Sequence, residues 1–155
     1  MDNTQAEIRD IRREDLDAVL SILYESAVKS GFGGSRERYV SDVSKELRLD
    51  HDTLRVLASP DDRVMGCAWA TPFPRDAAGS DTAFLFDVSV RESYRGEGYG
   101  RRLAEDLFEQ LRSRGVKTVQ ARLAKRNKAG AEFMTALGFE LHTEDALWTE
   151  WSRAL

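Results

Sequence analysis

The residues best suited to chemistry lie in Tyr94-Arg95-Gly96-Glu97-Gly98-Tyr99-Gly100-Arg101-Arg102. Glycines at alternate positions remove Cβ atoms where a backbone must approach something closely or take a positive φ. The apolar run from Ala83 to Val90 precedes this turn. Leu103, Ala104, Leu107, Phe108 and Leu111 follow it at helical spacing, so the turn ends where a helix begins. A helix N-terminus offers unpaired N–H groups and partial positive charge, which together suit a phosphate. The segment therefore reads as the holder of a pyrophosphate, embedded among Arg95, Arg101 and Arg102.

Two other nucleotide motifs fail on spacing. A P-loop needs a Lys-Ser/Thr pair after its glycines, and here Arg101-Arg102 stands in that place. A dinucleotide fingerprint needs G-x-G-x-x-G, whereas the glycines are Gly96, Gly98 and Gly100. A plain strand-to-helix turn would explain the glycines but not the arginines around them.

The elements that must position this turn follow from periodicity. Ala6 to Ile11 reads as a first strand, and Leu16, Val19, Leu20, Leu23, Tyr24 and Ala27 mark a helix. Lys29 to Gly34 is a glycine-rich connector, either a simple turn or a lid over a substrate. Ser35 can cap a second helix with the stripe Tyr39, Val43, Leu47. Thr53 to Ala58 and Val64 to Ala70 are β-prone runs joined by Ser59-Pro60-Asp61-Asp62, the chemistry of a hairpin turn. Pro72 and Pro74 end the second arm, Asp76 to Asp81 is a loop, and Cys67 is a small core residue.

Beyond the glycine turn, the third helix stops at Gly115 and Val116 to Leu123 is a strand. Asn127 caps a fourth helix carrying Ala131, Phe133, Met134 and Leu137, which Gly138 ends. Phe139 to Leu141 starts a strand, His142 to Ala146 turns the chain, and Leu147 to Trp151 alternates like a closing strand. The order is βααβββαβαββ, a single domain over 1–155 of mixed α/β class with helices covering the sheet.

Composition bounds the functions available. The chain of 155 residues carries 27 acidic against 23 basic residues, a net charge of −4, which gives no footprint for nucleic acid. One cysteine makes no internal disulfide and fits a reducing compartment. The N-terminus is polar, and no apolar run approaches the roughly 18 residues of a membrane span. The expectation is a soluble cytoplasmic protein that contacts neither membrane nor nucleic acid.

Arg95-x-x-Gly98-x-Gly100, after a strand and opening a helix, resembles the acyl-CoA signature of the GNAT superfamily of N-acetyltransferases. Asp87-Val88-Ser89-Val90-Arg91-Glu92-Ser93-Tyr94-Arg95-Gly96 matches that family's strand-to-turn wording, with Glu92 where proline is frequent. Asn127 through Gly138-Phe139 is similar to its second signature. The resemblance implies a mostly antiparallel mixed sheet, splayed at strands 4 and 5 beside a bulge and flanked by about four helices. It implies an acetyl group moved from acetyl-CoA directly to an amine, a small molecule or a protein amino group, without a metal. Gly96, Glu97, Gly98, Tyr99, Gly100 and Arg101, with Arg95, would hold the CoA pyrophosphate. Val88, Ser89 and Val90 would meet the pantetheine arm, which Asn127 would also reach. Lys125, Arg126 and Lys128 are either a solvated patch or neighbours of the nucleotide end.

The sequence departs from the family where protons move. The usual thiolate-protonating tyrosine is replaced by Met134, which cannot donate one. The positions comparable to a frequent glutamate base are Phe84 and Phe86, leaving Asp87 as the only carboxylate on that strand. Asp87 is either the base or an anchor for a nearby backbone or cation. Glu25 is the other candidate, and Tyr24, Tyr39, His142, Glu144 and Asp145 could line the acceptor side. Tyr99 packs against or shields the cofactor. Trp148 and Trp151 either flank an acceptor or fill the core, the core being favoured. A CoA-binding sensor without turnover is the alternative function, and the last strands could pair two copies into a homodimer.

Overall fold

The computed structural model describes residues 5–49, 51–74 and 80–155. The sheet has seven strands: β1 (Glu7–Asp10), β2 (Thr53–Ala58), β3 (Val64–Pro72), β4 (Thr82–Val90), β5 (Thr118–Ala124), β6 (Glu140–Glu144) and β7 (Trp148–Ala154). Their spatial order is β1-β2-β3-β4-β5-β7-β6. Every pairing is antiparallel except β4 with β5. The helices are α1 (Leu16–Lys29), α2 (Arg36–Glu46), α3 (Tyr99–Ser113) and α4 (Lys128–Ala136).

Two apolar cores lie on opposite faces of this sheet. On one, Leu103, Leu107, Phe108 and Leu111 of α3 pack with Met65, Ala68, Leu85 and Val119, joined by Met134 and Leu137. On the other, Val19, Ile22 and Leu23 of α1 cover Leu54, Val56, Cys67 and Trp69, with Tyr39 and Val43 of α2 at the margin. Burying each large side chain contributes about 1.5–3 kcal/mol. β2 and most of β3 are covered on both faces, so apolar residues stand at successive positions, with Arg55 the charged exception in β2. β5 and β7 are covered on one face and alternate.

The helix ends obey local chemistry. The Ser35 hydroxyl accepts the Arg38 N–H at 3.1 Å, and Asn127 Oδ1 accepts the Gly130 N–H at 2.8 Å. Two boundaries differ from expectation. The segment His142 to Ala146 is not a turn throughout: 142–144 belong to β6, whose five residues are all exposed. An outermost strand wetted on both faces has no alternation to reveal it. The strand expected from Val116 begins at Thr118, because the Val116 N–H still closes the end of α3 by bonding to the Leu111 carbonyl at 3.0 Å. Of the loop expected over 76–81, 76–79 lie outside the described residues.

Candidate active site

The site begins with one extra residue in β4. Ala70 of β3 stands opposite Leu85, but Trp69 stands opposite Asp87, so Phe86 is bulged out of the pairing. Side chains of a strand alternate between faces, and an extra residue resets that alternation. Leu85 faces the α3 core, and Phe86 and Asp87 then both face α1 and α2, beside Trp69. Val88 and Val90 return to the α3 side, and Ser89, opposite Cys67, faces α1.

β4 also loses its neighbour on the far side. It pairs with β5 only from Thr82–Thr118 to Leu85–Ala121, and beyond that the two strands diverge. A cavity of about 840 Å³ opens between them. The Arg91 N–H bonds to the Met65 carbonyl, so alternation turns the backbone groups of Val88 and Val90 toward this gap. The Val90 carbonyl is met there by Arg95 Nε at 3.0 Å, which fastens the start of the turn to the end of β4.

The glycine turn closes one end of the cavity. Gly96 and Gly98 both have φ of +82°, and no atom lies within 4 Å of where a Cβ would stand on either. Gly98 is the N-cap residue of α3, and the first helical bond runs from the Arg102 N–H to its carbonyl at 3.2 Å. The N–H groups of Tyr99, Gly100 and Arg101 precede that bond and have no partner within the helix. An open cradle of amides at the positive end of a 15-residue helix suits a diphosphate.

At the other end sits the Asp87 carboxylate. Burial pushes its pKa up to about 6, while the hydroxyls of Ser89 and Ser26 and the Val88 amide pull it back down. Tyr39 of α2 lines the same space, its phenol held well above the ordinary tyrosine value by burial and by the charge of Asp87. Burial, with Asp87 nearby, likewise pushes the Cys67 thiol up, so it is an inert core thiol. Trp69 is fixed behind Asp87 by Nε1 donating to Asp52 Oδ2 at 2.9 Å.

The cavity thus gathers Asp87, Val88, Ser89, Val90, Arg95, Gly96, Gly98, Gly100 and Asn127. Tyr99 borders it with a buried ring, packed in the α3 core under Arg102. Glu97 and Arg101 are exposed and do not line the cavity. Glu25 and Tyr24 line an adjoining hollow with Arg91 and Ser93, away from Asp87. His142, Glu144 and Asp145 are not on the cavity wall, and Met134 is. The two tryptophans separate: Trp151 is 8% exposed in the core, whereas Trp148 is 38% exposed and lines the cavity. Sequence reasoning missed Ser26 and Arg122. Arg122 was signalled by its place between Ala121 and Leu123, a charge on the wet face of an alternating strand. Ser26 is only a polar interruption beside Leu23 and Ala27, too common to stand out. Among the described residues, no group of three or more His, Cys, Asp or Glu side chains is placed to hold a metal, and no helix is long and apolar enough to cross a membrane.

The chain has relatives in both sequence and fold. The chain is 37% identical over 59 residues to a ribosomal-protein-alanine N-acetyltransferase of Escherichia coli, spanning 38% of this chain and 40% of that relative. It is 28% identical over 142 residues to glucosamine 6-phosphate N-acetyltransferase of Trypanosoma brucei brucei, spanning 91% and 93% of the two chains. The fold matches that of PaiA N-acetyltransferase from Thermoplasma acidophilum, solved with coenzyme A, with a TM-score of 0.76 at 17% identity over 97% of this chain and 99% of that one. The model of the acetyltransferase (GNAT) family matches residues 16–139. The chain belongs to the acetyltransferase (GNAT) family.

Proposed function

We propose that residues 1–155 form one acetyltransferase domain that moves an acetyl group from acetyl-CoA to a primary amine, with Asp87 as the base. The observation that carries this reading is that the Asp87 carboxylate, its pKa pushed up by burial, lines the same cavity as the glycine cradle. The gap between β4 and β5 is open along backbone groups of Val88 and Val90, as a pantetheine arm requires. Gly96, Gly98, Gly100 and the Tyr99 and Arg101 amides, with Arg95 and Glu97 flanking, would hold the diphosphate. Asn127 and Ser89 border the arm between.

The bound acetyl-CoA supplies a thioester carbonyl. An alkylamine is mostly protonated at neutral pH and must lose that proton before attacking a carbonyl. An ordinary carboxylate, titrating near 4, is a weak acceptor for it; Asp87, held near 6, is better matched to neutral pH. Ser26 and Ser89 keep the carboxylate oriented toward the cavity. Tyr39 stays protonated throughout, so its hydroxyl can hold the amine or a water but does not titrate. Met134 has no proton to give and contributes apolar wall; Asp87, having taken the amine's proton, can return it to the departing thiolate. Glu25, in the adjoining hollow, has no part in this path. The buried free thiol of Cys67 suits a cytoplasmic setting.

Calorimetric titration with acetyl-CoA, followed by thiol release across a panel of amines, tests the proposal. Saturable binding with thiol release for at least one amine is expected; no heat at millimolar acetyl-CoA would overturn it. Met134 favours a second reading, a CoA-binding sensor, which predicts binding without thiol release for any amine.

A further inference from the structure

The acceptor end of the cavity holds a second charged group that the transfer step does not use. Arg122 of β5 projects on the α1/α2 side of the sheet, the opposite face from buried Ala121, and lies with its guanidinium carbon 4.4 Å from the centroid of the Trp148 ring. Both residues line the cavity that contains Asp87. Stacking on an aromatic face holds a guanidinium still without using any of its N–H donors. Neither nearby carboxylate is paired with it. Glu150, directly opposite Arg122 in the β5–β7 pairing, accepts from Thr143 Oγ1 at 3.2 Å on its other side. Asp145 Oδ1 accepts the Leu147 and Trp148 amides, each at 2.8 Å, and Arg122 acts on it through its charge without a hydrogen bond. Among the described residues, Arg122 has no carboxylate within ion-pair distance. Phe86, 39% exposed at the bulge, supplies apolar wall of the same space.

We infer that the acceptor is a small amine that also carries a carboxylate or a phosphate, with Arg122 binding the anion while the amine faces Asp87. This rests on the proposed transfer of acetyl groups to an amine. A fixed, outward-facing guanidinium matches the planar or tetrahedral oxygens of such an anion through paired hydrogen bonds. An uncharged amine would leave these donors in water and gain nothing from them. Charge-assisted hydrogen bonds of this kind correspond to about 10- to 100-fold in affinity.

The test uses amine pairs that differ only in the anion: phenethylamine against phenylalanine, and glucosamine against glucosamine 6-phosphate. With saturating acetyl-CoA, kcat/KM is expected to favour the anionic member of at least one pair by about 10-fold or more. The phenylalanine pair reports a carboxylate close to the amine and the sugar pair a phosphate farther away. In Arg122→Met the ratio within the favoured pair should fall to near one, and Arg122→Lys should restore part of it. A second readout does not need turnover: Trp148 fluorescence, taken as the difference between the wild type and Trp148→Phe, should respond to the anionic amine and not to its neutral partner. Equal kcat/KM within both pairs, an equal loss for both members in Arg122→Met, or better turnover of an uncharged peptide N-terminus would overturn the inference. A Trp148 response to the anionic amine without thiol release would support the anion site and overturn the transfer reading instead.

Discussion

The ring of Phe86 lies nearly flat on that of Trp69, with centroids 4.3 Å apart and planes 21° from parallel. Trp69 is itself held by Asp52, so the stack fixes the bulge of β4 to a rigid part of β3. That bulge brings Asp87 to the α1/α2 face, where Ser26 hydrogen-bonds to it and Tyr39 feels its charge. The same stretch of β4 diverges from β5. One inserted residue therefore accounts for the position of the Asp87 carboxylate, and it sits where the cavity opens.

Asp87 should carry a cost in stability. Its folded-state pKa is raised, so the folded protein holds that proton more tightly than the unfolded chain between roughly pH 4 and about 6. Stability therefore falls as pH rises through that window and stays lower above it. Asp87→Asn, which never becomes charged, is expected to be more stable than the wild type by about 1–2 kcal/mol at pH 8, with the difference vanishing below about pH 4. Urea unfolding midpoints at the two pH values measure this.

Met134 is buried and bordered by the cavity, but it holds no proton to give. Met134→Leu conserves volume and should cost less than about 1.5 kcal/mol in stability. It is expected to change kcat by less than about 3-fold, since a true proton donor would be worth about 100-fold or more. Steady-state thiol release measures it.

Gly98 and Gly115 make a matched pair. Their φ values are +82° and +89°, and neither has an atom within 4 Å of where a Cβ would stand. Alanine at either should cost about 1 kcal/mol or more of backbone strain and nothing in steric overlap. Only Gly98 stands in the cradle. Gly98→Ala is expected to weaken acetyl-CoA binding about 10-fold or more, and Gly115→Ala, at the far end of α3, to leave it within error. Calorimetry on both variants separates strain from binding.

Much of this was legible in the sequence because glycine and asparagine act locally. The positive φ at Gly98 and the cap at Asn127 depend on a few neighbouring residues, and both stand where the residue types placed them. The βααβββαβαββ order followed from periodicities that tertiary packing reinforced rather than overrode. The bulge was different. Under plain alternation Asp87 would point into the α3 core, and only the register of β3 against β4 shows otherwise. Register is a property of two strands, and nothing within β4 announces it. Trp148 and Trp151 show the same limit. Their separation of three puts them on opposite faces of β7, yet which face is wet depends on where α3 and α4 lie. Arg122 became part of the site only once β5 was seen to leave β4 behind Ala121.

The most direct test of Asp87 as the base is the pH dependence of kcat/KM, measured by thiol release with the best acceptor of the amine panel. The base must be ionised, so the wild type should gain activity as pH rises, with a limb near pH 6 set by Asp87. Asp87→Asn should bind acetyl-CoA as the wild type does, lose about 100-fold or more of kcat/KM and show no such limb. An Asp87→Asn variant that keeps both the rate and the limb of the wild type would contradict the account.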